Sequence, residues 1–123
     1  MRTVAVVDDS LIALEVARAA LQEAGFAVVT ANTIAELERL LLGQKPDLFL
    51  VDVVMPHMFG DDVAKLLRVR RNVNVPIWLF SDRPEAELGL RVNKAGIEGY
   101  ISKGDGVTEM VRRVRAIFEG RGG

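Results

Sequence analysis

From Val4 to Phe118 short apolar runs alternate with segments whose apolar residues recur at helical spacing, and no repeat, low-complexity stretch or long linker interrupts them. Val4 to Val7 is a compact β-branched run. Ser10 is placed to cap the helix that follows, in which Leu11, Leu14, Ala17 and Leu21 recur, and Gly25 closes it. Ala27 to Thr30 reads as a second strand, and Thr33 with Glu36 stands at capping-box spacing before a helix that ends near Gly43. Leu48 to Val51 is a third strand, Asp61 to Arg71 a third helix, and the run Ile77 to Phe80 after Pro76 a fourth strand. Glu85 to Ala95 reads as helix and Gly99 to Ser102 as strand. The last helix carries Val107, Met110, Val111, Val114, Ile117 and Phe118 on one stripe. Strands that are apolar on both faces and alternate with helices make a parallel sheet covered on both sides, in a doubly wound α/β sandwich.

A chain of 123 residues, half of them hydrophobic, has the size of one domain with a single substantial core, and the expectation is one domain over residues 1–123. Its 16 basic and 17 acidic side chains leave a formal charge of −1, which supplies no field for holding nucleic acid or an anionic membrane. Without cysteine there are no disulfides or thiolate zinc sites, and the N-terminus lacks a signal-peptide pattern, so a reducing cytoplasm fits. No apolar run approaches the roughly 20 residues that cross a bilayer, which predicts a soluble protein.

In such folds chemistry collects beyond the carboxyl ends of the strands, where strand order reverses. The first strand ends in Asp8-Asp9, the third in Asp52, the fourth in Ser81 and the fifth in Ser102-Lys103. Every one of these polar groups is at the same end of the sheet. Carboxylates on neighbouring strands repel one another by about 4 kcal/mol per pair at about 4 Å and an effective dielectric of about 20, so a cation must offset them. Oxygen-only ligands favour a hard ion. Mg²⁺, which keeps several waters and adds phosphate oxygens, fits best.

These residues resemble the receiver domains of two-component response regulators, the chemotaxis receivers among them, over nearly the whole chain. Asp8 and Asp9 match that family's acidic pair, Asp52 its phosphate-accepting aspartate, Ser81 its hydroxyl residue and Lys103 its lysine. The stretch from Asp52 through Met55 and Pro56 to Gly60 matches the loop that follows the acceptor, a stiff loop suited to holding a backbone carbonyl. The resemblance implies a flavodoxin-like sheet of order 2-1-3-4-5 with five helices. It implies that Asp9, Asp52 and the Val54 carbonyl bind Mg²⁺ directly, with Asp8 acting through water. A histidine kinase or phosphotransfer protein would pass its phosphoryl group to Asp52, giving an aspartyl phosphate, with Lys103 and Ser81 contacting phosphoryl oxygens. Tyr100 matches the aromatic position that changes rotamer on activation. The face made by the fourth helix, fifth strand and fifth helix would then meet a downstream effector. On this reading the chain is a regulatory domain that catalyses only its own phosphorylation and dephosphorylation.

Each residue also has a plainer reading. Paired acids after a strand serve as helix caps, a serine at a strand end forms a turn, and most lysines are solvated. Tyr100 reads equally as a half-buried packing residue, and Trp78 and Phe80 read as core. His57 reads as an exposed loop residue and, with no second histidine, a poor metal ligand. Arg68, Arg70 and Arg71 read as a solvated helix end favourable to the dipole. Two positions depart from the family. Gly104 stands where a proline in a cis peptide usually follows the lysine, and without proline a cis bond costs about 3 kcal/mol. Asp82 stands where a small residue usually flanks the phosphoryl entry. It would either hinder an incoming phosphate or cap the fourth helix, since Asp82 and Glu85 have capping-box spacing around Pro84.

Three functions are weighed on these grounds: an active receiver, a receiver-like interaction module that docks without phosphorylation, and a flavin protein or aspartate-nucleophile phosphatase of similar fold. The third wants a glycine- and hydroxyl-rich loop or a D-x-D after the first strand, and "DDSLIAL" is neither. The chain stops at "EGRGG" just after the fifth helix, so the expectation is a stand-alone regulator or a domain of a longer protein without its output part.

Overall fold

A computed structural model describes residues 1–55 and 58–120. Strands β1 (Thr3–Val7), β2 (Ala27–Ala31), β3 (Leu48–Val51), β4 (Ile77–Ser81) and β5 (Gly99–Ser102) form a parallel five-stranded sheet of order β2-β1-β3-β4-β5. This is the 2-1-3-4-5 order that the resemblance implied. The helices are α1 (Leu11–Glu23), α2 (Ile34–Gly43), α3 (Gly60–Lys65, continued by a π-helical turn Leu66–Arg70), α4 (Glu85–Ala95) and α5 (Val107–Phe118).

The period-two geometry of a strand explains why the runs are apolar throughout. Ala5, Val7, Phe49, Val51, Ile77 and Leu79 face one side and pack with Leu37 of α2, Val63, Ala64 and Leu67 of α3 and Leu88 of α4. Their neighbours Val4, Val6, Leu48, Leu50, Trp78, Phe80 and Ile101 face the other side, against Leu14, Ala17 and Leu21 of α1 and Met110, Val114 and Ile117 of α5. Two half-cores therefore share one sheet, and each helix contributes only its periodic stripe.

Local chemistry sets the helix ends. Ser10 Oγ accepts from the Ala13 amide at 3.1 Å, the expected cap of α1. Thr33 Oγ1 likewise accepts from Glu36 N at 3.1 Å, but Glu36 reaches back one residue further than a capping box requires, to Asn32 N at 2.7 Å. Gly96 ends α4 in the left-handed region (φ 66°), with its amide on Val92 O.

Four expectations need correction. Asp82 does not cap α4: Pro84 takes the N-cap position in an extended conformation, with no side-chain cap bond. The third helix is not a uniform α-helix from 61 to 71, since its last turn widens so that Arg71 N donates to Leu66 O at 3.2 Å, and Asn72 then adopts a positive φ of 55°. Nor is its basic end simply solvated. Arg68 folds back to donate to Val73 O at 2.9 Å and Val75 O at 2.7 Å and pairs with Glu98, Arg71 pairs with Glu38 at 3.0 Å, and Arg70 is exposed, with no such partner among the described residues. Finally, the segment after Asp52 is not wholly loop: Val54–Met55 and Met58–Phe59 form a short antiparallel ladder. The expectations for Pro56 and His57 lie outside the described residues.

Trp78 and Phe80 are buried as expected, and Trp78 imposes a demand of its own. It sits opposite Gly99 in the β4–β5 register, and a Cβ on Gly99 would lie 2.5 Å from the indole. Only glycine leaves room for the ring.

Candidate functional site

Parallel strands of matched length bring their carboxyl ends into one row, and the residues just beyond that row form the site. Asp8 and Asp9 follow β1, Asp52 follows β3, Ser81 is the last residue of β4, and Lys103 opens a 3₁₀ turn, Lys103–Asp105, directly after β5. All five line one shallow cleft of about 400 Å³, together with Val54, Asp82 and Arg83. A second cleft of about 510 Å³ lies between the ends of α2 and α3, among Leu41, Pro46, Phe49 and Val73, and none of the five residues lines it.

Asp8 is fully buried, Asp52 is 13 % exposed at its side chain, and Asp9 is open to solvent. Oxygens of the three carboxylates come within 4.8 Å of one another. Backbone amides hold two of them: Ser10 N donates to Asp8 Oδ1 and Val53 N to Asp52 Oδ1, both at 2.9 Å. Lys103 is the cation they share, with Nζ 2.5 Å from Asp8 Oδ2 and 3.8 Å from Asp52 Oδ1, above the Phe80 ring at 5.5 Å. One ammonium against three carboxylates leaves the cluster net negative.

The electrostatic result appears at Asp52, whose carboxyl is pushed from 3.8 up to about 6. Burial is the largest cause, followed by the Asp8 charge. Lys103 and the Val53 amide pull the other way without cancelling them, and Asp9 adds a smaller upward push. Oxygen donors only, crowded and negative, fit a hard divalent cation such as Mg²⁺ and do not fit a soft one.

Ser81 is buried, and its Oγ accepts from Arg83 N at 3.1 Å, so its hydroxyl proton is left for another acceptor. The plain turn reading of Ser81 is thus correct as far as the backbone goes, and compatible with a further contact. Tyr100 lies outside the cleft lining, half-buried on β5. Its hydroxyl donates to Glu85 Oε1 at the start of α4 at 3.2 Å, and its phenol is pushed up, first by desolvation and then by that bond. The Lys103–Gly104 peptide is trans.

Two contributors were not visible in the sequence. The Lys103–Asp8 pair spans 95 positions, with no local spacing to announce it. Arg113 of α5 lies over the Trp78 ring at 5.5 Å and donates to Tyr100 O at 3.2 Å, tying α5 to the strand that carries Tyr100.

With this geometry in view, comparison with known proteins is informative. The sequence pattern of the response regulator receiver domain matches residues 4–115, and the chain belongs to that family. It is a regulatory domain of two-component signal transduction. Among curated relatives it is 28 % identical over 122 residues to the phosphate regulon transcriptional regulatory protein PhoB of Pseudomonas aeruginosa, covering 98 % of this chain and 53 % of that protein. It is 32 % identical over 120 residues to the probable transcriptional regulatory protein TcrX of Mycobacterium tuberculosis, covering 98 % and 51 %. The chain thus spans about half the length of these relatives. A solved response regulator from Thermotoga maritima is 28 % identical and superposes with a TM-score of 0.83, over 97 % of this chain and 98 % of that one. Chemotaxis protein CheY4 of Vibrio cholerae is 25 % identical with a TM-score of 0.84, over 94 % and 97 %. Among the described residues no helix is long and apolar enough to cross a membrane.

Proposed function

We propose that this domain is a phosphoryl-accepting switch in which Asp52 takes a phosphoryl group from a histidine kinase or a histidine phosphotransfer protein. The observation that carries the reading is the placement of Asp52 at the end of a central strand, beside two further carboxylates and 3.8 Å from the Lys103 ammonium. With a pKa of about 6, the Asp52 carboxyl is mostly ionised at pH 7 and so available as a nucleophile. One of its oxygens attacks phosphorus as the phosphorus–nitrogen bond to the donor imidazole breaks, leaving an acyl phosphate on the chain. Such a transfer asks the protein for positioning and charge neutralisation rather than further covalent steps.

Asp9, Asp52 and the Val54 carbonyl, with Asp8 beside them, would hold Mg²⁺, which supplies neutralising charge for the phosphoryl oxygens. Lys103 exchanges part of its pairing with Asp8 for a phosphoryl oxygen, and the Ser81 hydroxyl donates to another. The chemistry is confined to the domain's own phosphorylation and dephosphorylation. The matched span and the two half-cores that share one sheet support one domain over 1–123; phosphoryl transfer from a kinase places it in the cytoplasm.

The output is a change of partner affinity on the face of α4, β5 and α5. Tyr100 sits on that face, bonded to α4 through Glu85 and to α5 through Arg113, so a movement of Ser81 toward the phosphoryl group can pass to both helices. A few kcal/mol of differential contact is enough to shift such an equilibrium. Relatives whose names call them transcriptional regulators support a downstream effector as the partner that this face receives.

Intact mass after incubation with acetyl phosphate and Mg²⁺ tests the proposal. The native chain should gain one phosphate and Asp52→Asn none. Undiminished labelling of the variant removes Asp52 from the role.

A further inference from the structure

Asp82 lines the cleft but takes no part in the bonds that organise it. Its side chain is exposed and lies outside the trio of carboxylates that approach within 4.8 Å. Its expected use as the cap of α4 is excluded by Pro84, and among the described residues it has no hydrogen bond or ion pair. The neighbouring cation does not neutralise it by contact: Arg83 turns its guanidinium toward Glu87 of α4, at 3.9 Å, while its amide serves Ser81. A fourth carboxylate is therefore left, uncompensated, at the opening of a cleft that is already net negative.

We propose that Asp82 is a specificity-determining residue, a fixed negative charge that ranks phosphodonors by their own charge. It slows dianionic acyl phosphates more than donors whose leaving group is protonated. This rests on the reading of Asp52 as acceptor, and it adds the chemical class of donor that the cleft prefers. In either transfer an Asp52 oxygen bonds to phosphorus as the bond to the leaving group breaks, and the electron pair departs with that group. Acetyl phosphate, a dianion, releases acetate. Phosphoramidate, a monoanion because its nitrogen is already protonated, releases neutral ammonia. Coulomb energy scales with the product of the charges, so the logarithm of the rate penalty from Asp82 is twice as large for the dianion. Salt screens both penalties, and at an exposed rim the screening is effective.

The test compares the native chain with Asp82→Asn, which keeps the size and removes the charge, and Asp82→Ala, which removes both. Phosphate incorporation is followed by intact mass with each donor in Mg²⁺, at low and high salt, after melting curves confirm that all three chains are folded. Asp82→Asn should speed acetyl phosphate by about tenfold and phosphoramidate by about threefold, and added salt should close most of that difference. An equal effect on both donors, or none, overturns the charge gate. Acceleration by Asp82→Ala without acceleration by Asp82→Asn also overturns it, in favour of bulk. If neither the native chain nor Asp82→Asn takes phosphate from either donor, the acceptor reading of Asp52 fails, and the gate goes with it.

Discussion

The two ends of the sheet treat charge in opposite ways. At the amino-terminal ends of the strands three charged groups, Arg68, Glu98 and Asp47, are matched to backbone demands. Arg68 donates to Val73 O and Val75 O and pairs with Glu98, Glu98 also accepts from Ile77 N at 3.1 Å, and Asp47 accepts from Thr3 N at 2.8 Å. At the carboxyl ends three carboxylates lie within 4.8 Å of one another, Lys103 pairs with Asp8 and Asp52, and burial, followed by the Asp8 charge, pushes the Asp52 carboxyl up to about 6. The first arrangement closes the loops under the core. The second keeps repulsion in the folded state, which a bound cation or a phosphoryl group with its metal would relieve. The matched groups that hold the fold and the crowded groups of the candidate site are thus placed at opposite ends of the same strands.

The largest expected effect is at the matched end. Arg68→Ala leaves two loop carbonyls and the Glu98 carboxylate without their partner, and should cost about 2–3 kcal/mol in urea unfolding. Phosphate uptake by the fraction that remains folded should be unchanged. A loss below about 0.5 kcal/mol would show that this end is no better satisfied than an ordinary surface.

Next comes Gly99→Ala, where β5 begins. A methyl group 2.5 Å from the Trp78 indole forces the ring or the strand to shift, at a cost of about 1–3 kcal/mol. Tryptophan fluorescence follows the same event, since Trp78 is the chain's one tryptophan. An unchanged emission spectrum and unchanged stability would mean that the ring has another place to go.

At the crowded end the sign reverses. Asp52 is at about 6 in the fold against 3.8 unperturbed, so between these values the folded chain binds more protons than the unfolded one. Its contribution to stability is therefore fully present below about pH 4, falls as pH rises through about 6, and is level above that. Solvent screening at a site open to water reduces the effect to about 1 kcal/mol. Asp52→Asn should accordingly stabilise the metal-free chain at pH 7 by about 1 kcal/mol and flatten the dependence between pH 4 and pH 7. Mg²⁺ should raise the melting temperature of the native chain at pH 7 and do much less for the variant. If Asp52→Asn destabilises the metal-free chain at pH 7, the crowding of this end is not a cost to the fold.

The same contrast explains what the sequence could disclose. Strand positions were legible because alternate residues serve two half-cores, so that Val4 to Val7 and Ile77 to Phe80 had to be apolar on both sides. The acidic row was legible because parallel strands place their last residues together. Arg68 was not, since its acceptors are carbonyls of Val73 and Val75 and carry no side-chain signature. Asp82 and Glu85 had the spacing of a capping box, but Pro84 between them takes the N-cap position in an extended conformation, and no side chain caps the helix. The ladder of Val54–Met55 with Met58–Phe59 escaped for a different reason: strands of two residues are too short to show a period.

The smallest effect on stability is expected at Tyr100. Its ring packs with the half-core of α2, α3 and α4, while its hydroxyl reaches an exposed bond to Glu85. An exposed hydrogen bond exchanges readily with water, so Tyr100→Phe should change stability by no more than about 0.5 kcal/mol. Its effect on coupling should be larger than its effect on stability. Amide NMR shifts of the native chain on adding beryllofluoride and Mg²⁺ should reach α4, β5 and α5, and in Tyr100→Phe they should weaken at α4, the helix that the hydroxyl touches, more than at α5, which Arg113 ties to the unchanged backbone of Tyr100. A loss of more than about 1.5 kcal/mol would place the hydroxyl among the matched groups that hold the fold. Shifts at α4 as large as in the native chain would instead show that the helix responds without this bond, and that the ring of Tyr100, or Ser81 alone, carries the signal.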